Sequence, residues 1–284
     1  MIRVYLLSSL LLVSIAFASC SGSKESGETS TIDTAQAGND ELNRAAEEKY
    51  DYVISNIPIP FEILDRLFKS GVMFRKELTN PVTNNSKYLQ NNSKALNLGI
   101  YGADLTYTIC FEKFNELNPY LKNSKKLADD LGIPLAFNNE SLKQYEEMRN
   151  NKDSLRDAVY RSYNEVDRTL KSNERISLAA LVITGGWVEG LYIASSTASD
   201  TTLKPEVRKE LYGIVRRQSF HLDNIINLLK EFKSDAYFQQ MVTDLQSVQQ
   251  IYSSAKKKNE VDAEETTLIL QKVSSIRNKI IEGT

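Results

Sequence analysis

The stretch 176-ISLAALVITGGWVEGLYIA-194 holds nineteen residues, three glycines, the chain's one tryptophan and a single charge, Glu189. Its length would let it cross a bilayer, which takes about 20 apolar residues. The carboxylate and the glycines argue instead for a helix buried on all sides inside a helical domain. Gly186 and Gly190 stand four apart on one helix face and would let a neighbouring helix approach closely. An acid in that setting is costly to ionise unless something pairs with it.

A second apolar helix, 96-LNLGIYGADLTYT-108, carries the same arrangement. Asp104 precedes Tyr107 by three residues, as Glu189 precedes Tyr192, and the two acids lie 85 positions apart. At helical spacing each tyrosine lies beside its acid. One reading is structural: the acids accept hydrogen bonds from tyrosine or threonine, or pair with an arginine such as Arg216 or Arg217. The functional reading is a ligand pocket walled by Tyr101, Tyr107, Trp187 and Tyr192, with Asp104 and Glu189 as its polar handles. Two carboxylates in an open cleft could also hydrolyse a glycoside.

Around these two segments the period is helical throughout. A helix is expected in 41-ELNRAAEEKYDYVISNI-57, and another in 60-PFEILDRLFKSG-71, with proline at its first turn and glycine past its end. The apolar helix containing Asp104 is expected to begin near Asn84 or Asn85 and to stop before Pro119. The segment 119-PYLKNSKKLADDLG-132 follows, closed by glycine. Further helices are expected at about 139–150, 153–172 and 175–198, then from Pro205, from Asp235 and from Ala263. No segment alternates well enough for a strand. The fold expected is all-α, a bundle of about nine helices with the two apolar ones at its centre.

Composition removes several chemistries. One histidine, His221, excludes multi-histidine zinc sites and paired Glu-x-x-His di-iron motifs. Flanked by Phe220 and Leu222, it reads as a helix histidine with satisfied nitrogens. No Walker loop, dinucleotide fingerprint or nucleophile elbow is present. The charge is nearly balanced, 37 acids against 35 bases, and Lys256-Lys257-Lys258 reads as solvated helix surface, so nucleic acid is not an expected partner. No cofactor or metal is expected. Two cysteines occur; Cys110, in an apolar helix, reads as a small hydrophobe.

The other cysteine belongs to the leader. Arg3, a mostly apolar run from Tyr5 to Phe17, and the small residues Ala18 and Ser19 make a secretory signal over residues 1–19. The ending 17-FASC-20 resembles the bacterial lipoprotein signal, with phenylalanine where leucine is usual. That resemblance implies a diacylglycerol and a further acyl chain on Cys20, which together anchor a protein firmly. Ser21 is not the aspartate that retains such proteins at the inner membrane, so the outer membrane is expected. Residues 20–39 are rich in Ser, Gly, Thr and Glu and read as a tether, reaching about 25 Å as a flexible coil. Residues 40–284 then form the helical domain.

Taken together, 96-LNLGIYGADLTY-107, 123-NSKKLADDLGI-133 and 180-ALVITGGWVEGLYIAS-195 resemble a family of helical envelope lipoproteins of unknown function from Gram-negative anaerobes. The resemblance runs from about Ile57 to Ile251. It implies a fold and an address but brings no catalytic residues. Asp33-Thr34-Ala35, Asp153-Ser154-Leu155 and Asp200-Thr201-Thr202 resemble the acceptor triplet of O-glycosylation systems in such bacteria, with Thr34, Ser154 and Thr201 as the hydroxyls. The function expected is an outer-membrane-anchored protein whose helical domain binds a ligand or an envelope partner. The alternatives are a glycan hydrolase using Asp104 and Glu189, and a purely structural interaction module.

Overall fold

Two glycines decide how the central helices meet. The computed structural model describes residues 48–52, 60–258 and 261–283. In it α2 (Asn91–Cys110) and α6 (Ile176–Ala198) form the most extensive helix pair. A Cβ on Gly99 would stand 2.0 Å from the Val182 carbonyl oxygen, and one on Gly185 would stand 1.9 Å from that of Leu96. Both distances are far inside contact, so the two backbones touch with no side chain between them. Leu96 lies opposite Gly185 and Asp104 opposite Glu189, so the two helices run in the same direction. The expected pair of glycines is half corrected here. Gly186 is part of the contact, since its nitrogen lies 2.7 Å from a Cβ on Gly99. Gly190 is not, because a Cβ there would meet only the end of Ile63, at 3.6 Å.

The other helices are laid around this pair. α1 (Pro60–Lys69), α5 (Lys152–Ser172) and α9 (Ala263–Glu282) touch both central helices. α3 (Leu117–Asp130) covers α2, and α7 (Pro205–Leu229) covers α6. α4 (Asn139–Glu147) leans on α5, and α8 (Ala236–Lys258) bridges α7 and α9. The fold is an all-α bundle, with no strand among the described residues. α6 is apolar and long enough for a membrane span, yet most of it is buried inside the bundle. It is the core helix that its composition suggested.

Capping follows the local chemistry. Asn138, Asn151 and Asp262 accept from backbone N–H groups in the first turns of α4, α5 and α9. Gly71, Gly132 and Gly283 end their helices at positive φ, where a Cβ is disfavoured. Two boundaries differ from expectation. α2 begins at Asn91, because residues 82–87 form a 3-10 turn in which Asn84 and Asn85 donate their amides to Asn80 and Asn123. It ends at Cys110, because Glu112 turns left-handed (φ 58°) and the Lys113 N–H bonds back to Thr108 O. Pro119 then falls in the first turn of α3, where its missing N–H costs nothing.

The described residues 48–52 are helical, within the first segment expected to be so. The leader 1–19, Cys20, the tether to residue 39 and Thr34 lie outside the described residues, as do the side chains of Lys256, Lys257 and Lys258. Asp40–Thr284 form one compact unit.

A matched pair of substitutions tests the helix contact. Gly185→Ala should cost about 3 kcal/mol or more, the upper range for forcing atoms into a filled core. Gly190→Ala should be neutral, or stabilising by about 1 kcal/mol through helix propensity. Urea denaturation of the two variants reads both values; equal effects would contradict the contact.

Candidate functional site

On one side of the α2–α6 contact the two acids meet. Asp104 and Glu189 are both fully buried and lie within hydrogen-bonding reach of each other. The partner that closes the site is Arg277 of α9, not Arg216 or Arg217, which are exposed on α7. Arg277 Nε donates to Glu189 Oε2 at 2.5 Å and Nη2 donates to Oε1 at 2.7 Å, a two-pronged pair. The same Nη2 donates to the Leu78 carbonyl at 3.0 Å. The guanidinium sits 4.3 Å over the ring of Tyr192, which gives that tyrosine its place beside Glu189.

Asp104 is held differently. Its Oδ2 accepts the Asn80 N–H at 3.0 Å, while Oδ1 is buried with no donor from the protein. Burial, and then the neighbouring Glu189, push its carboxyl well above the usual range, and Arg277 only partly offsets them. Protonated, Asp104 has one O–H to give, and Glu189 is an acceptor within reach. Arg277 is pulled down by burial but raised on balance by Glu189 and Asp104. The cluster thus sets two buried carboxyls against one guanidinium.

A polar web extends from Asn80 and ties the chain's connections to the core. Asn80 Nδ2 donates to Tyr88 Oη at 2.9 Å, and its Oδ1 accepts from Asn84 at 2.9 Å. Asn97 Nδ2 donates to Ile280 O of α9 at 2.9 Å. Tyr101 donates to Pro81 O at 3.1 Å, and burial raises its hydroxyl pKa. Tyr107 accepts the Arg75 N–H at 3.0 Å and stacks near Phe74; burial pushes its hydroxyl up to about 12. The structure thus brings Asp104 to Glu189 and Tyr192 to Arg277, while Tyr101 and Tyr107 serve as anchors for loops.

Trp187 faces elsewhere. On the other side of the central pair a cavity of about 160 Å³ opens between α2, α5 and α6. Trp187, Tyr50, Tyr163 and Asp167 line it, with Gly99 and Gly102 on the α2 side. The exposed Tyr160 and Asn164 belong to its rim. Asp104, Glu189, Tyr101, Tyr107 and Tyr192 do not line it, so of the six residues expected to share a pocket only Trp187 reaches this one. Gly102 is required here, since a Cβ would fall 1.9 Å from the Tyr163 hydroxyl, which donates to Leu98 O at 2.8 Å.

Two polar groups in this cavity lack partners. Trp187 is 3 % exposed, and its Nε1–H has no acceptor. Asp167 lies beside the Tyr50 hydroxyl, which favours its ionised form, while its buried Oδ1 has no hydrogen-bond partner. Burial raises the Asp167 carboxyl, and the Tyr50 bond only partly offsets that. Burial, followed by the nearby Asp167 carboxylate, in turn raises Tyr50.

No family model, curated protein or solved structure matches the chain. What the site can do must therefore come from its own residues. Cys110 is fully buried, with a thiol raised by burial, and no chemistry follows from it. His221 is half-buried on α7 against the edge of Phe220. Among the described residues no three His, Cys, Asp or Glu side chains are placed to hold a metal ion. Ser154 lies in the first turn of α5, and Thr201 is exposed in the turn between α6 and α7, beside an Asp200 carboxylate that accepts from Thr202.

Sequence reasoning missed Arg277 and Asp167. Arg277 stands on the buried stripe of α9 with Ile269, Val273, Ile276 and Ile280. A cation among those apolar positions was the signal that an internal acid needed a partner. Asp167 gave no such signal, because α5 is amphipathic and carries several exposed acids.

The two core acids should respond differently to neutralisation. Glu189→Gln strips the charge from Arg277's partner and should cost about 3 kcal/mol or more. Asp104→Asn keeps shape and a donor, and should cost within about 1 kcal/mol. Because the folded-state pKa of Asp104 is raised, its contribution is fully present below the unfolded value of about 3.9 and is lost as pH rises towards the folded one. Asp104→Asn should therefore gain stability relative to the native chain from pH 4 to pH 8. Denaturant titrations at several pH values give this difference; a gap independent of pH would show that Asp104 ionises in the fold as it does in water.

Proposed function

We propose that this chain is a lipid-anchored protein of the outer membrane whose helical domain binds a small molecule in the Trp187 cavity. The cavity is the observation that carries the binding half of this reading. It joins an apolar, aromatic wall to a small number of placed polar groups, the composition of a small-molecule site. Trp187 and Asp167 each hold an unmet hydrogen-bonding valence there, which a buried polar group keeps only at a cost. The address rests on the leader sequence, on Cys20 and on the Ser-, Gly- and Thr-rich segment after it.

The geometry gives no support to a glycan hydrolase at Asp104 and Glu189. A general acid must reach a glycosidic oxygen, and both carboxyls are shut from solvent. Their pairing with Arg277 is that of a core network.

Both halves are open to test. Trp187 is the only tryptophan in the chain, so its fluorescence reports on the cavity without a label. Benzyl alcohol should change that emission saturably in the purified full-length chain. Ala179→Leu, which fills part of the cavity, should remove the response at little cost in stability; a response that this variant leaves unchanged would refute the site. For the anchor, Cys20→Ser should move the protein from the membrane fraction to the soluble one. Retention of the variant in the membrane would show that Cys20 does not carry the attachment.

A further inference from the structure

We infer that the occupant of the Trp187 cavity is a compact organic cation, a ring-sized apolar body bearing a protonated amine that pairs with Asp167. This rests on the ligand-binding reading above and names the chemistry of the ligand. Size comes first. A cavity of about 160 Å³ is close to one known to admit benzene, of about 150 Å³. A single ring with a short arm is a body of the size it takes.

Charge decides the class. Asp167 lies on the cavity wall, beside the Tyr50 hydroxyl, and its Oδ1 is buried with no hydrogen-bond partner. Arg168 pairs with Glu165 at 2.7 Å, and Lys171 pairs with Asp51 while also acting on Asp167 through space. With Asp51 beside Lys171, the acids at this wall outnumber the cations by one. An anion would be repelled, and a neutral body would leave Oδ1 desolvated and unpaired. An ammonium group supplies the missing donor and the counter-charge at once.

The walls agree with this. Tyr50, Tyr160, Tyr163 and Trp187 line the cavity, and aromatic faces attract cations through their ring quadrupoles, tryptophan most strongly. The unmet Trp187 Nε1–H offers a second contact, to an oxygen on the same molecule.

The experiment compares near-isosteric probes on the purified full-length chain, read by Trp187 emission. Benzylamine should bind at least about tenfold more tightly than benzyl alcohol, as a charge-assisted bond implies. Benzoate should not bind. Asp167→Asn, which can still accept from Tyr50, should bring the ratio of amine to alcohol affinity down to near one. Equal affinity of the native chain for amine and alcohol would overturn the cation assignment and leave the ligand site standing. Silence towards all three probes would overturn both. The native-chain comparison decides even if the Asp167 variant fails to fold.

Discussion

At Gly99 and Gly185 the backbones of α2 and α6 lie against one another with no side chain between them, and this approach sets how the two central helices meet. A helix pair held apart by ordinary side chains is spaced 8–10 Å between axes. Here Asp104 and Glu189 come within reach on one side. On the other side the cavity beside Trp187 opens between α2, α5 and α6, with Gly99 and Gly102 on its α2 wall. A sealed network and an open pocket thus lie on opposite sides of one helix pair.

The sealed network does work that apolar packing would do less selectively. Arg277 is the only guanidinium described as bound to Glu189, and it also holds the Leu78 carbonyl, so α9 can dock in one register. Asn80 and Asn97 extend the same logic to the loop before α2 and to the end of α9. Such a cluster contributes less to net stability than its bond lengths suggest, since two charges must be desolvated to form it. Its physical role here is to fix how the last helix meets the central pair.

Much of the architecture could be read from the chain because it is locally written. Glycine and proline mark the ends of α1 and α3, and asparagine or aspartate caps α4, α5 and α9. The two apolar runs identified the central helices. What could not be read was anything requiring a third element. Glu189 pairs 88 residues away with Arg277, and no spacing rule reaches that far. The glycine contact uses Gly185 and Gly186 and leaves Gly190 out, because sequence spacing gives a face but not the rotation of the helix about its axis. The binding residues were grouped around the two acids. Trp187, only two residues before Glu189, points to a different side of α6, as a helical step of two demands. α2 begins at Asn91, later than the Asn84 or Asn85 expected, because Asn84 and Asn85 give their side-chain amides to Asn80 and Asn123 within a 3-10 turn.

The separation of a closed charged core from an open ligand cavity is the central claim, and the protonation state of Asp104 is its most direct reporter. Carboxyl carbon NMR of the labelled chain would read it at each pH. A sealed pair predicts that the Asp104 resonance stays in the protonated form at neutral pH, while exposed aspartates have long since titrated. An Asp104 that titrates with them would mean that water reaches the pair, and that the acids lie in an accessible site after all.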